Sequence, residues 1–103
     1  MATLISAATA TGAGSAIQRE PGYTSFLGHG TTTAGAGAAT INIEVAQTSD
    51  GPWLVAGTIT LVLATTITTT TNTDGFNINA GWRFMRANVT AISGTGAAVT
   101  VMI

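Results

Sequence analysis

No cysteine and no lysine occur in this 103-residue sequence, and charge of either sign is scarce. Without cysteine there is no disulfide, no thiolate nucleophile and no thiolate metal site. One histidine, His29, is too few for a histidine-built metal centre. Basic charge amounts to Arg19, Arg83 and Arg86, and acidic charge to Glu20, Glu44, Asp50 and Asp74. That is 7% of the chain, where an average domain carries about 25%. Three arginines cannot form the basic stripe that neutralises phosphates, so a nucleic-acid partner is not expected. The most apolar stretch, Trp53 to Ile67, is broken by Gly57, Thr58, Thr60, Thr65 and Thr66. It falls short of the roughly 20 residues a membrane helix needs. The opening run Met1 to Ser6 lacks a basic and then an apolar region, so no signal peptide is expected. Nor does any long stretch repeat its apolar residues at a helical period.

What is there is Thr, Ala and Gly, with apolar residues at alternate positions. Thr, Val and Ile are stiff at χ1 and favour the pleated backbone. Ile41, Ile43 and Val45 alternate with Asn42, Glu44 and Ala46, the pattern of a strand with one buried face. Trp53, Val55, Ile59, Leu61 and Leu63 share one parity, with Gly57 among them as a candidate bulge. Met85, Ala87, Val89 and Ala91 oppose Phe84, Arg86, Asn88 and Thr90, and Ala97, Val99, Val101 and Ile103 close the chain. Turn chemistry separates these runs at Ser49-Asp50-Gly51-Pro52, Thr73-Asp74-Gly75 and Ser93-Gly94-Thr95-Gly96. The last is of hairpin length. Thr11 to Ser15 and Gly28 to Gly37 read as Gly-rich loops. The expected fold is all-β, a single antiparallel β-sandwich or jelly roll of seven to eight strands. Residues 1–38 form its arm or first strands and 39–103 its core, together one domain.

Thr58 to Thr71 is uncharged, free of proline and high in β propensity. Exposed, such a segment is an aggregation hazard, and natural edges are blunted by lysine, proline or a cover. Either its Leu61/Leu63 part is a central strand and its threonine run a solvated loop, or part of it packs on another subunit.

The sequence holds few of the residue groupings that catalysis needs. Gly12-Ala13-Gly14-Ser15-Ala16 is not a nucleophile elbow, and neither Gly-Ala-Gly run completes a dinucleotide fingerprint. His29 sits between two glycines with nothing nearby to orient it. Asp50 and Asp74 are accounted for by turns and Glu20 by a loop before Pro21. Glu44 lies on the polar face of its strand as a solvated or paired group. No enzyme, metal or cofactor is expected. Asn88-Val89-Thr90 matches a glycosylation sequon but falls within a strand.

The densest cluster is Gly81-Trp82-Arg83-Phe84-Met85-Arg86-Ala87-Asn88-Val89, two arginines and two aromatics in a chain otherwise nearly uncharged. An arginine here can lie over Trp82 or Trp53 or fork onto Glu44. It then ties one end of the fold together, anchors a partner, or frames an aromatic shelf for a sugar.

The runs Asp50-Gly51-Pro52-Trp53, Gly57-Thr58-Ile59-Thr60-Leu61, Asp74-Gly75-Phe76 and Trp82 to Ala97 together resemble small virion structural proteins of tailed bacteriophages. The likeness covers residues 39–103. The late strand is also similar to the aromatic–arginine strand of discoidin-like jelly rolls, some of which bind sugars. The resemblance implies a capsid decoration (cement) protein: a homotrimer made in the host cytoplasm and seated on the major capsid protein at the virion surface. Contacts are then expected from Trp82, Arg83 and Arg86 and from Thr3, Leu4 and Ile5 in the Gly-rich segment Thr3 to Ser15. A tail, baseplate or head-fibre component is the rival of the same class. A carbohydrate-binding module using Trp53, Trp82 or Tyr23 is the rival of another, and the two differ in whether an indole is exposed beside polar groups.

Overall fold

The computed structural model describes residues 3–18, 22–67, 72–80 and 82–103. Arg19, Glu20, Pro21, Gly81 and the threonines 68–71, all named above, lie outside the described residues, as does the side chain of Tyr23. Among the described residues are nine strands and no helix. They are β1 (Thr3–Ala8), β2 (Gly12–Ala13), β3 (Ile17–Gln18), β4 (Gly22–Thr31), β5 (Ala34–Ala46), β6 (Leu54–Leu63), β7 (Thr73–Ala80), β8 (Phe84–Thr95) and β9 (Ala98–Met102). Two antiparallel sheets pack together, one in the order β1-β9-β4-β7 and the other β2-β8-β5-β6, with β3 also on β8. The first 38 residues contribute to both sheets, through β1 and β4 on one side and β2, β3 and the start of β5 on the other.

The period-2 pattern places the core. Ile41, Ile43 and Val45 of β5 are fully buried, together with Ile59, Leu61 and Leu63 of β6 and Met85 and Ala87 of β8. They form one cluster with Leu4, Phe26, Val89, Val99 and Val101. The turn expected over Ser49 to Pro52 forms one residue earlier, closed between Thr48 and Gly51. Gly51 takes φ 87°, its N–H donates to the Thr48 carbonyl at 3.1 Å, and Thr48 Oγ1 donates to the Gly51 carbonyl at 2.6 Å.

Several expectations are corrected. Gly28 to Gly37 is not a loop, because β4 runs to Thr31 and β5 starts at Ala34. Gly28 and Gly30 serve close approach: a Cβ on Gly28 would press on Ile59 across the core, and one on Gly30 would press on Leu63 across the core and on Val99 of the adjoining strand. Thr73-Asp74-Gly75 is not a turn; it begins β7 and pairs with Leu27, Gly28 and His29. Thr11 to Ser15 is not wholly loop, since Gly12 and Ala13 pair with Val89 and Asn88. Ser93 to Gly96 does not close a hairpin either. It carries the chain from β8 in one sheet to β9 in the other, where β9 pairs with β1 and β4. The Leu61/Leu63 segment is an edge strand, not a central one, because among the described strands β6 pairs with β5 alone.

Two bulges change which residues face inward. On β6, Ile43 opposes Gly57 while Glu44 opposes Val55, so Ala56 is the extra residue. Trp53 and Val55 therefore leave the face of Ile59 and Leu61 and turn to the outer one. On β8, Ile41 opposes Val89 while Thr40 opposes Ala91, so Thr90 is extra. Ala91 is exposed as a result, and Ile92 packs on the core in its place. A bulge inverts the alternation downstream of it, which a fixed parity cannot anticipate.

Gly57 lies directly beneath the Phe76 ring, which pairs with Phe26 at 5.2 Å between centroids. A Cβ at residue 57 would overlap that ring. Gly57→Ala is therefore expected to destabilise by about 1–3 kcal/mol through overpacking. Urea unfolding followed by circular dichroism measures this, and an unchanged midpoint would contradict the packing described.

Candidate functional site

The outer face of the β8-β5-β6 sheet holds the one polar cluster that joins several functional residue types among those described. Pairing sets Glu44 of β5 opposite Arg86 of β8, and Asn42 opposite Asn88. Arg86 and Asn88 are two residues apart on one strand, so both project on the side where Glu44 emerges. Arg86 Nε donates to Glu44 Oε1 at 2.6 Å, and Asn88 Nδ2 donates to Glu44 Oε2 at 3.1 Å. The bulge at Ala56 and the Thr48–Gly51 turn bring Trp53 over this row. Its ring centroid lies 4.2 Å from the Arg86 guanidinium carbon. The side chain of Glu44 is 10% exposed and that of Arg86 26%.

This arrangement acts as a strut. Both carboxylate oxygens accept from the chain's own donors, and the cation they balance lies over an indole. Neighbouring groups continue the pattern. Thr58 Oγ1 donates to Asn42 Oδ1 at 3.0 Å, and Thr90 Oγ1 donates to the Thr40 carbonyl at 3.2 Å. Each buried side-chain polar atom among the described residues has a partner.

The remaining candidates are scattered. Trp82 is half-buried against the core, while Arg83, just before β8, is exposed. Leu4 is a core residue, Ile5 packs partly on it, and Thr3 is exposed on β1. These N-terminal residues adjoin a cleft of about 310 Å³ between β1 and β2, lined by Leu4, Ile5, Ser6, Ala8, Thr11 and Gly12 among others. At its rim Ala7 holds φ 50°, a left-handed conformation that costs about 1–2 kcal/mol without glycine. Its N–H donates to Thr100 Oγ1 at 3.0 Å. His29 sits half-buried on β4, opposite Thr73 and Thr100. The described residues contain no group of three or more His, Cys, Asp or Glu able to hold a metal ion.

Two functional contacts escaped the sequence reading. Asn88 drew notice as a sequon residue, although its spacing from Arg86 was the available signal that both reach one carboxylate. Asp74, expected in a turn, instead spans the gap between the two sheets. Its Oδ2 accepts the Thr60 N–H of β6 at 3.1 Å, and its Oδ1 accepts the Gly75 N–H at 2.8 Å.

No protein-family model, curated protein or solved structure matches the chain.

Removing one member of a largely buried ion pair strands the other. Arg86→Ala is expected to cost about 2–3 kcal/mol, below the full buried-pair figure because Arg86 is partly exposed. For a domain of this size that lowers Tm by about 10–20 °C. Glu44→Ala combined with Arg86→Ala should cost less than the sum of the two single changes by about 1–2 kcal/mol. A double-mutant cycle by chemical denaturation reads both quantities; strict additivity would dissolve the strut.

Proposed function

We propose that the chain is a non-enzymatic virion structural protein, a capsid decoration protein that seats on the major capsid protein and strengthens the phage head. The observation that carries the reading is the strand order. Counting β2 and β3 as one interrupted strand, the two sheets in the orders β1-β9-β4-β7 and β2/β3-β8-β5-β6 have the neighbour order expected of an eight-stranded jelly roll, which supports that reading. That architecture serves viral capsid and lectin domains. The residue likeness of positions 39–103 to small phage virion proteins points to the first of these.

The state of the tryptophans favours assembly over sugar binding. A sugar shelf needs an indole face and hydrogen-bonding groups free for the ligand. One face of Trp53 is stacked by Arg86, the adjoining Glu44 is taken up by Arg86 and Asn88, and Trp82 packs on the core. Scarce charge and small side chains suit a surface covered by neighbours, since interface cores are depleted in charged residues. Such a protein works by bridging capsomers, so that shell rupture must break several weak contacts together. Its copies would act as a homotrimer on the outer surface of the virion, after synthesis in the host cytoplasm.

The test is co-sedimentation of the purified chain with empty heads of the phage that encodes it, followed by heating of the decorated heads. Binding with a rise in the temperature of head disruption is expected. Retention on tail structures or on host glycans, with bare heads left unbound, would replace this reading with one of its rivals.

A further inference from the structure

We infer that the Asp50–Gly51 bond is a site of spontaneous rearrangement of aspartate to isoaspartate, and that the conversion loosens the Trp53–Arg86 stack. The reaction needs only water. The Gly51 amide nitrogen attacks Asp50 Cγ and an N–Cγ bond forms. The amide proton and the carboxyl hydroxyl leave as water, and a succinimide ring results. Water then adds to one of the two ring carbonyls. Opening at Cγ restores aspartate, while opening at the α-carbonyl leaves the main chain running through Cβ and Cγ. Glycine after the aspartate permits the attack because no Cβ shields the nitrogen.

The chain holds two Asp-Gly pairs, and the fold treats them differently. Asp74–Gly75 lies within β7, paired with Gly28 and Leu27 of β4, and Asp74 Oδ2 accepts the Thr60 N–H at 3.1 Å. The Gly75 N–H points into the same carboxylate, donating to Oδ1 at 2.8 Å. The attacking face of that nitrogen is perpendicular to its amide plane and so is not directed at Cγ. Attack there requires β7 to leave both β4 and β6. Asp50 is exposed in the connection between β5 and β6. Among the described residues no hydrogen bond or ion pair holds its carboxylate. Two local bonds close the turn, from the Gly51 N–H to the Thr48 carbonyl and from Thr48 Oγ1 to the Gly51 carbonyl. Opening it breaks no strand pairing, and surface turns open far more often than paired strands.

Gly51 ties the site to the strut. A Cβ on Gly51 would come within 2.8 Å of Trp53 Cδ1 and 3.0 Å of Nε1, so this stretch of main chain lies against the indole. The same turn helps to hold that indole 4.2 Å from the Arg86 guanidinium carbon. Isoaspartate lengthens the main chain by one carbon at this point and shortens the side chain by one. The added length displaces the backbone that leads into Trp53 and draws the ring off Arg86.

The experiment is incubation of the folded chain in warm, neutral buffer made with heavy-oxygen water, which labels every succinimide hydrolysis. Chymotrypsin, cutting after Trp53, then parts Asp50 from Asp74 for mass spectrometry. Electron-transfer fragmentation and methylation by an isoaspartyl methyltransferase identify the rearranged backbone. Label and isoaspartate are expected at Asp50 at least about tenfold above Asp74, because each strand hydrogen bond that must also break slows the opening. Asp50→Glu, whose ring would be larger, should abolish the label at that position. Asp50→Asn should convert faster, with ammonia leaving in place of water. Both replace an exposed side chain, and circular dichroism checks that they are folded. The converted chain, isolated by chromatography, should lose near-ultraviolet dichroism from its tryptophans. Equal label at Asp74, or none at Asp50 over the time a free Ser49–Trp53 peptide takes to reach equilibrium, overturns the site. A near-ultraviolet spectrum unchanged by conversion overturns its link to the stack. Neither reading depends on head binding, so the proposed function and this inference fail separately.

Discussion

Because side chains alternate along a strand, the buried row Ile41, Ile43 and Val45 constrains the two strands that flank it. β5 pairs with β8 on one side and β6 on the other over most of its length. Each neighbour must present its own apolar row to the same layer, and each does so through Ile59 to Leu63 or Met85 to Val89. Where a neighbour's sequence cannot keep step, it inserts a residue: Ala56 in β6 and Thr90 in β8. The first insertion is what brings Trp53 round to the outer face. The aromatic–arginine stack thus follows from register, and register from the burial of three β5 side chains.

Charge is handled in the same economical way. Glu44 and Arg86 face each other because β5 and β8 are paired at that position, and Asn88 completes the carboxylate's bonding. Asp74 joins β7 of one sheet to the edge of β6 in the other, beside the bridge of Thr31 to Ala64. Two of the four carboxylates therefore hold backbone or side-chain donors in place. The arginine cluster that stood out in the sequence divides between a structural member, Arg86, and an exposed one, Arg83.

The alternating runs at 41–45, 59–63, 85–89 and 97–101 were legible because their branched apolar residues repeat at the strand period. The Arg86–Glu44–Trp53 contact was legible as one of several pairings, since few charges leave few partners. What was not legible had physical causes. Glycine in β4 has the composition of a loop, yet serves where the two sheets approach closely. Asp74-Gly75 has turn chemistry, yet the aspartate is used across the sheet gap. Ala91 and Val55 obey the expected parity until a bulge reverses it. The crossing from β8 to β9 has hairpin length, and only the partners of β9 reveal that it changes sheets.

Once these internal duties are subtracted, the means left for recognition are few. Glu44, Arg86, Asn88 and Asp74 are engaged within the chain, and Trp82 is half-buried against the core. The surface that remains on the β6 flank is uncharged, and the β1–β2 cleft is walled largely by backbone and small side chains. Long-range electrostatic steering has little to act on, so encounter rates fall toward those of neutral partners, about 10⁵–10⁶ M⁻¹s⁻¹. Salt screens charges and leaves apolar burial nearly untouched, so a contact made through such uncharged surfaces would be insensitive to ionic strength. Weak, unsteered contacts of that kind hold firmly only when many are made at once, the condition that the proposed seat on a repeating shell would supply.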